Sequence, residues 1–219
     1  MFYDSIENKH GLKHDPFKAL IVPRPIGWVS TVSKAGIANI APYSYFNAVA
    51  ERPNYVMFSS AGIKDSLANI NETGEFVCSL ANYDLRYEMN TTSASVPHGV
   101  DEFELAGLKV AASKLVKPPR VRDAPAAFEC KLWKTVELPN PRQAYTMVIG
   151  LVVGIHIDDR YVKDGIVDSG AMRPIARLGY MDYGVINPEN VFTINRPEVG
   201  PDGKLVNAKP DGTWDGQYR

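Results

Sequence analysis

A chain of 219 residues is long enough to build one substantial core, and its 45% hydrophobic and 22% charged composition excludes a disordered or fibrous class. A formal net charge of -1 with scattered basic residues excludes the cationic stripe that neutralises a nucleic-acid backbone. The longest apolar run, Tyr145 to Ile157, falls short of the roughly 20 residues of a spanning helix, and Met-Phe-Tyr-Asp is no signal pattern, so a cytoplasmic protein is expected.

Residues 1–17 are polar, with His10 and His14 at helical spacing but no further ligand beside them; solvent-facing histidines are expected rather than half a metal site. Pro23 and Pro25 bar a helix, and the β-branched and aromatic residues from Ile26 to Val32 predict a strand. Ser33-Lys34-Ala35-Gly36 reads as a turn into a second extended piece, making a hairpin. Tyr55 to Ser60 predicts a strand, Asp65 to Thr73 a two-turn helix stopped by Gly74, and Glu75 to Ala81 another strand. Tyr83 to Pro125 is polar and irregular. Ala127 to Leu138 and Tyr145 to Ile157 read as strands of one long hairpin about Pro139-Asn140-Pro141. Cys78 and Cys130 fall in alternating apolar contexts that suit buried thiols better than a disulfide or metal pair. Residues 1–195 form one domain on this reading, and 196–219, rich in glycine, proline, asparagine and aspartate, an extended arm. Many short strands and few helices predict a mainly β fold, an antiparallel barrel or sandwich, and the usual glycine-rich motifs of α/β nucleotide-binding folds are absent.

Two stretches carry candidate chemistry. In Ser59-Ser60-Ala61-Gly62-Ile63-Lys64-Asp65-Ser66 a strand ends in two hydroxyls, a glycine loop follows, and Lys64 stands at the start of a helix. Free backbone N–H groups at a helix N-terminus, with a lysine and hydroxyls beside them, suit a phosphate monoester; the plainer alternative is a capped helix with a solvated lysine. Asn39-Ile40-Ala41-Pro42-Tyr43-Ser44-Tyr45-Phe46-Asn47 mixes polar, small and aromatic residues, as a flat ring with a polar edge requires, or forms a core strand with a proline bulge. Ser59 and Ser60 with a distant His98 or His156 lack the Gly-x-Ser-x-Gly elbow of a hydrolase.

These stretches lie within a longer pattern. Pro23-Arg24-Pro25-Ile26-Gly27-Trp28-Val29-Ser30-Thr31, Asn39 to Ser44, Pro53, Lys64-Asp65-Ser66 with Asn69-Ile70, Gly74-Glu75-Phe76, Asp101-Glu102-Phe103, Phe128-Glu129-Cys130, Val148-Ile149-Gly150 and Arg177-Leu178-Gly179 with Tyr183 follow the order and spacing of the flavin reductase-like family, which the chain resembles from about Phe17 to Gly184. The resemblance implies a split β-barrel that binds FMN without a covalent bond, as a homodimer with the flavin near the subunit interface. It places Ser30, Thr31, Ser59, Ser60, Lys64 and Ser66 around the phosphate and ribityl chain, with Arg24 either a further phosphate partner or a surface arginine. Asn39, Ala41, Pro42, Tyr43 and Ser44 would line the isoalloxazine, and Arg177 would lie close to the flavin. Tyr180 stands where the family has a second glycine, and either stacks over the dimethylbenzene or nicotinamide region or restricts access to it. His156 resembles a histidine near the flavin in some relatives, and the alternative is a hydrogen-bonded core residue.

The activity so implied is an oxidoreductase that takes hydride from NADH or NADPH onto FMN and passes electrons to free flavin, a partner monooxygenase or another acceptor. The alternatives are a flavoredoxin-like protein exchanging electrons with a redox protein partner, and a barrel that has lost its flavin.

Overall fold

The structure is a computed structural model that describes residues 1–206, 214 and 216, so the last part of the expected arm lies outside the described residues. In chain order the elements are α1 (Phe17–Leu20), β1 (Arg24–Pro25), β2 (Gly27–Val32), β3 (Ala38–Tyr43), β4 (Phe46–Ala50), β5 (Tyr55–Ala61), α2 (Asp65–Thr73), β6 (Glu75–Leu80), α3 (Arg86–Thr91) and α4 (Glu102–Leu105). Then follow β7 (Val110–Ala111), β8 (Arg120–Val121), β9 (Ala126–Leu138), β10 (Tyr145–Ile157), β11 (Val162–Lys163), β12 (Ile166–Val167), β13 (Ile175–Arg177), β14 (Tyr183–Val185), β15 (Glu198–Val199) and β16 (Leu205–Val206).

Seven strands pair antiparallel in the order β3-β2-β6-β9-β10-β5-β4. The two outermost strands, β3 and β4, are joined by Ser44 and Tyr45 alone, so the sheet must curl until its edges nearly meet. The Ser59 amide donates to Tyr45 O at 2.9 Å, which carries the β4–β5 pairing into that short link. The result is the split barrel that the family resemblance implies, within the barrel or sandwich class that the short strands predict.

Local chemistry explains the elements. Ser33 N–H bonds Ile37 O at 2.9 Å and Gly36 takes φ +85°, closing the β2–β3 turn. Gly74 ends α2 in the left-handed region, donating to Ile70 O at 2.8 Å. On β10, Gly150 has no side chain because a Cβ there would sit 2.3 Å from the Phe76 ring.

The barrel interior holds Val29, Tyr43, Val56, Phe58, Phe76, Cys78, Cys130 and Val148. Leu67 and Ile70 of α2 join this cluster, so α2 plugs one end of the barrel. A second core lies outside the sheet, where Trp28 and Ile40 pack against Met89 of α3, Phe103 of α4 and Ile175 of β13. Burial at roughly 25 cal/mol per Å² of apolar area is what draws the irregular middle of the chain onto the barrel. Both cysteines are buried free thiols, and burial pushes Cys78 up in pKa.

The helix Asp65–Thr73, the first hairpin and the long hairpin of β9 and β10 match their expected bounds to within about a residue. Strand β4, the helices α3 and α4, and the small sheet β1-β13-β14 were not expected.

Candidate functional site

A cleft of about 470 Å³ opens where the β3–β4 seam meets the start of α2. One wall is Asn39 to Tyr45 along β3 and its turn. The head is Ser59, Ala61, Ile63, Lys64, Asp65 and Ser66, and the facing wall is Thr92 to Val96 with His98. Alternation sets which side chains face it: along β5, Val56, Phe58 and Ser60 are buried inward, while Ser59 and Ala61 turn to the cleft. Gly62, at φ +73° with its N–H on Ala144 O, swings the chain from β5 into α2. Lys64 is the N-cap residue, in extended backbone, and supplies no side-chain cap. The first amides of α2 therefore face the head of the cleft without a side-chain partner of their own helix.

One buried hydroxyl at this head, Ser59 Oγ, has no hydrogen-bond partner among the described residues. Tyr43 OH, at the end of the barrel interior, has Ser60 and Ser66 as its polar neighbours, and burial raises the phenol in pKa, so it stays a donor. A polar group buried without a partner costs about 1–3 kcal/mol, a cost that a polar ligand at the cleft head would remove. Lys64 makes no ion pair among the described residues and is exposed at the rim.

Beneath the cleft runs a buried network. Ser66 Oγ donates to Asn39 Oδ1 at 2.8 Å, Thr31 Oγ1 lies 3.2 Å from the same oxygen, and Asn69 Nδ2 donates to Thr31 at 2.9 Å. Asn39 Nδ2 donates to both Glu102 oxygens at 3.0 Å, and the Ile40 amide adds a bond at 3.1 Å. Burial raises the Glu102 carboxyl in pKa, although these donors partly offset it. At the rim, His98 Nδ1 lies 2.7 Å from Asp65 Oδ1, and the hydrogen bond to that carboxylate raises the histidine in pKa.

Eight expected cofactor residues line this cleft: Asn39, Ala41, Pro42, Tyr43, Ser44, Ser59, Lys64 and Ser66. Five do not. Ser30 donates to Pro119 O at 2.5 Å on the outer face of β2, and Thr31 is committed to Asn39 and Asn69. Ser60 points inward and donates to Gly62 O at 3.0 Å. Arg24 is buried rather than a surface arginine, its terminal guanidinium nitrogens donating to the carbonyls of Lys18, Ile21 (2.7 Å) and Leu178 (2.8 Å) as a clamp, with Nε alone left without a partner among the described residues. Arg177 is spent on Tyr183 OH at 2.5 Å and Tyr180 O at 2.6 Å.

Tyr180 lies outside the cleft against His14, with ring centroids 5.7 Å apart. Its φ of +52° is the backbone region glycine adopts freely, so tyrosine keeps the shape of the glycine it replaces. His156 sits eleven residues along β10 from Tyr145, roughly 36 Å at about 3.3 Å per residue, and bonds Glu129 at 2.5 Å. It is half-buried and hydrogen-bonded, away from the cleft.

Sequence reasoning missed Lys18, Glu102, Tyr145 and the Thr92–Val96 wall as lining residues, whereas Tyr45 falls in the expected ring-binding stretch. The run Thr91-Thr92-Ser93-Ala94-Ser95, small hydroxyl residues after a short helix, is the one local signal for that wall.

A wider groove of about 830 Å³ continues from the cleft, sharing Lys18, Ser44, Tyr45, Ser59 and Tyr145 with it and reaching Arg142 and Met147.

Fold and site thus define a split-barrel protein with a cleft whose head gathers hydroxyls, helix amides and Lys64 and whose wall is half-polar. A profile of the flavin reductase like domain matches residues 19–176, and the chain belongs to that family. An uncharacterized protein of Aquifex aeolicus (strain VF5) is 41% identical over 170 residues, covering 75% of this chain and 85% of that protein. The crystal structure of nitrilotriacetate monooxygenase component B from Bacillus cereus is 31% identical and superposes with a TM-score of 0.78, over 85% of this chain and 96% of that one. That of Pseudomonas fluorescens 2-nitrobenzoate 2-nitroreductase NbaA is 26% identical, with a TM-score of 0.79 over 91% of this chain and 100% of that one.

Proposed function

We propose that the chain is an FMN-binding oxidoreductase, an NAD(P)H-dependent flavin reductase that serves free flavin or a partner monooxygenase. The observation that carries this reading is the buried, unpartnered Ser59 Oγ beside the uncapped start of α2 and Lys64. This donor set fits a phosphate monoester, because the helix terminus supplies amides and partial positive charge while Lys64 supplies a full one.

The roles divide by hydrogen-bond direction. Ser66 gives its proton to Asn39, so its oxygen is left to accept, and the phosphate falls to the α2 amides, Ser59 and Lys64. Asn39 is consumed by Glu102, Thr31 and Ser66, and holds β3 in place rather than meeting the ring itself. Ala41, Pro42, Tyr43 and Ser44 offer the low surface along which an isoalloxazine would lie. Bound FMN would supply the redox chemistry, accepting hydride from a reduced nicotinamide.

The wider groove, with Lys18 and Arg142 on its walls, gives a dinucleotide a cationic approach to the same place. The likeness to a monooxygenase component supports a monooxygenase as one acceptor. We further read the protein as a cytoplasmic homodimer, with residues from 196 onward as an arm whose first part is the β15–β16 hairpin; no described helix is long and apolar enough to cross a membrane.

An absorption spectrum of the purified protein, before and after addition of FMN and then NADH or NADPH without oxygen, tests the reading. Bound flavin that bleaches with one equivalent of nicotinamide supports it. Flavin that stays oxidised until a reduced protein donor is added would make the chain an electron carrier, and failure to bind FMN would overturn both.

A further inference from the structure

On the far side of α3 from the cleft, a cavity of about 240 Å³ is walled by Tyr83, Tyr87 and Tyr183, with Met89, Ile175 and Val185 forming its apolar lining. Nothing in the flavin reading uses it. Three guanidinium groups stand on these tyrosines: Arg86 lies 3.9 Å from the Tyr83 ring centroid and 4.2 Å from that of Tyr87, Arg173 lies 4.5 Å from Tyr83, and Arg177 lies 4.6 Å from Tyr183.

Their hydrogen bonds differ. Arg173 is paired with Asp84 at 2.9 Å, and Arg177 is spent on Tyr183 OH and Tyr180 O. Arg86 lines the cavity and gives only Nη1, to Tyr83 O at 2.7 Å; its remaining N–H donors have no partner among the described residues. Tyr183 OH accepts from Arg177 and so keeps its own proton to donate. Asp84 and Glu88 are the acidic residues of this stretch, and Asp84 is already neutralised. An apolar floor, aromatic walls and a half-used guanidinium together have one complement. The ring of the ligand meets tyrosine and methionine, and its anion meets a planar fork of donors.

We infer that this cavity is a second ligand site, taking a planar aromatic carboxylate of single-ring size with its carboxylate on Arg86. The carboxylate binds Arg86 and the Tyr183 hydroxyl, and no bond is made or broken. Because α3 leads directly into Thr92, which accepts from Trp28 Nε1 at 2.9 Å and lines the flavin cleft, occupancy is placed to be felt there.

The test is a titration of the full chain with benzoate, benzamide and cyclohexanecarboxylate, followed by calorimetry or saturation-transfer NMR, with and without added FMN. Benzoate should bind about tenfold or more tightly than either the uncharged or the non-aromatic analogue. Arg86→Gln should weaken benzoate by a similar factor while leaving FMN affinity within about twofold. Equal affinities for the three compounds, no binding of benzoate, benzoate affinity unchanged in Arg86→Gln, or competitive displacement of benzoate by FMN would each overturn the assignment. The comparison of the three compounds stands whether or not the chain binds flavin.

Discussion

Glu102 and Glu129 are both buried carboxylates, at 5% and 0% exposure, and the chain treats them in opposite ways. Glu129, on β9, accepts from the amides of Lys114 (2.7 Å), Leu115 (2.5 Å) and Val116 (3.2 Å) and from His156 at 2.5 Å. Burial pushes its pKa up, but His156 and the amides outweigh that and hold it below the ordinary glutamate range. Glu102, under the cleft, has one amide and one asparagine and no cation beside it, and burial wins. The first is a staple that fixes the 114–116 loop to the barrel. The second sits below the cleft head and sets the direction of the Asn39–Ser66 hydrogen bonds. One buried carboxylate is fully paired and fastens the barrel, and the other is incompletely paired beside the proposed ligand cleft.

Removing each group in turn separates the two roles. Glu129→Gln should produce the largest loss of stability, about 3–5 kcal/mol in denaturant unfolding, because it breaks a buried pair and presents an amide to three N–H donors. The flavin affinity of the folded protein should not change. Lys64→Ala should do the reverse, weakening FMN by about 1.5–3 kcal/mol in a fluorescence titration with stability nearly unmoved.

Glu102→Gln should cost a smaller amount, about 1–2 kcal/mol, and its signature is in the pH dependence. A lowered carboxyl such as Glu129 contributes stability that is present above the ordinary glutamate range and lost as pH falls through its lowered value. A raised one such as Glu102 binds its proton more tightly when folded, so it adds stability as pH falls through its raised value. Unfolding measured from roughly pH 7 to pH 3 should therefore show a shallower acid loss in Glu129→Gln and a steeper one in Glu102→Gln. The smallest effect belongs to a site outside both regions: Tyr180→Gly should raise stability by about 0.5–1 kcal/mol by relieving a left-handed backbone, without altering FMN affinity.

The same contrast shows what was legible in the sequence. Local signals carried the elements near the head of the cleft: Gly74 announces the end of α2, and Lys64-Asp65-Ser66 announces its start. The position of Ser59 at the cleft follows from the end of a strand, but the choice between Ser59 and Ser60 depends on the pleat, which only the inward burial of Phe58 decides. Ser30 and Thr31 carry the right chemistry and were drawn away by partners 89 and 8 residues distant, Pro119 and Asn39. Arg24 likewise looks like an anion ligand until Lys18, Ile21 and Leu178 claim its donors. Strand β4 escaped notice because Asn47 to Ala50 is exposed, which removes the buried alternation that marks a strand. Lys18 and the Thr92–Val96 wall reach the cleft only through tertiary packing, and the hydroxyl-rich run from Thr91 is the wall's one local sign.

A crystal structure of the chain grown with FMN tests the central claim most directly. The phosphate should lie within hydrogen-bond distance of the first amides of α2, Ser59 Oγ and Lys64, with the ring along Ala41 to Ser44. A flavin phosphate seated instead on Arg24 or Ser30, or a cleft head closed by side chains with the flavin elsewhere, would contradict it.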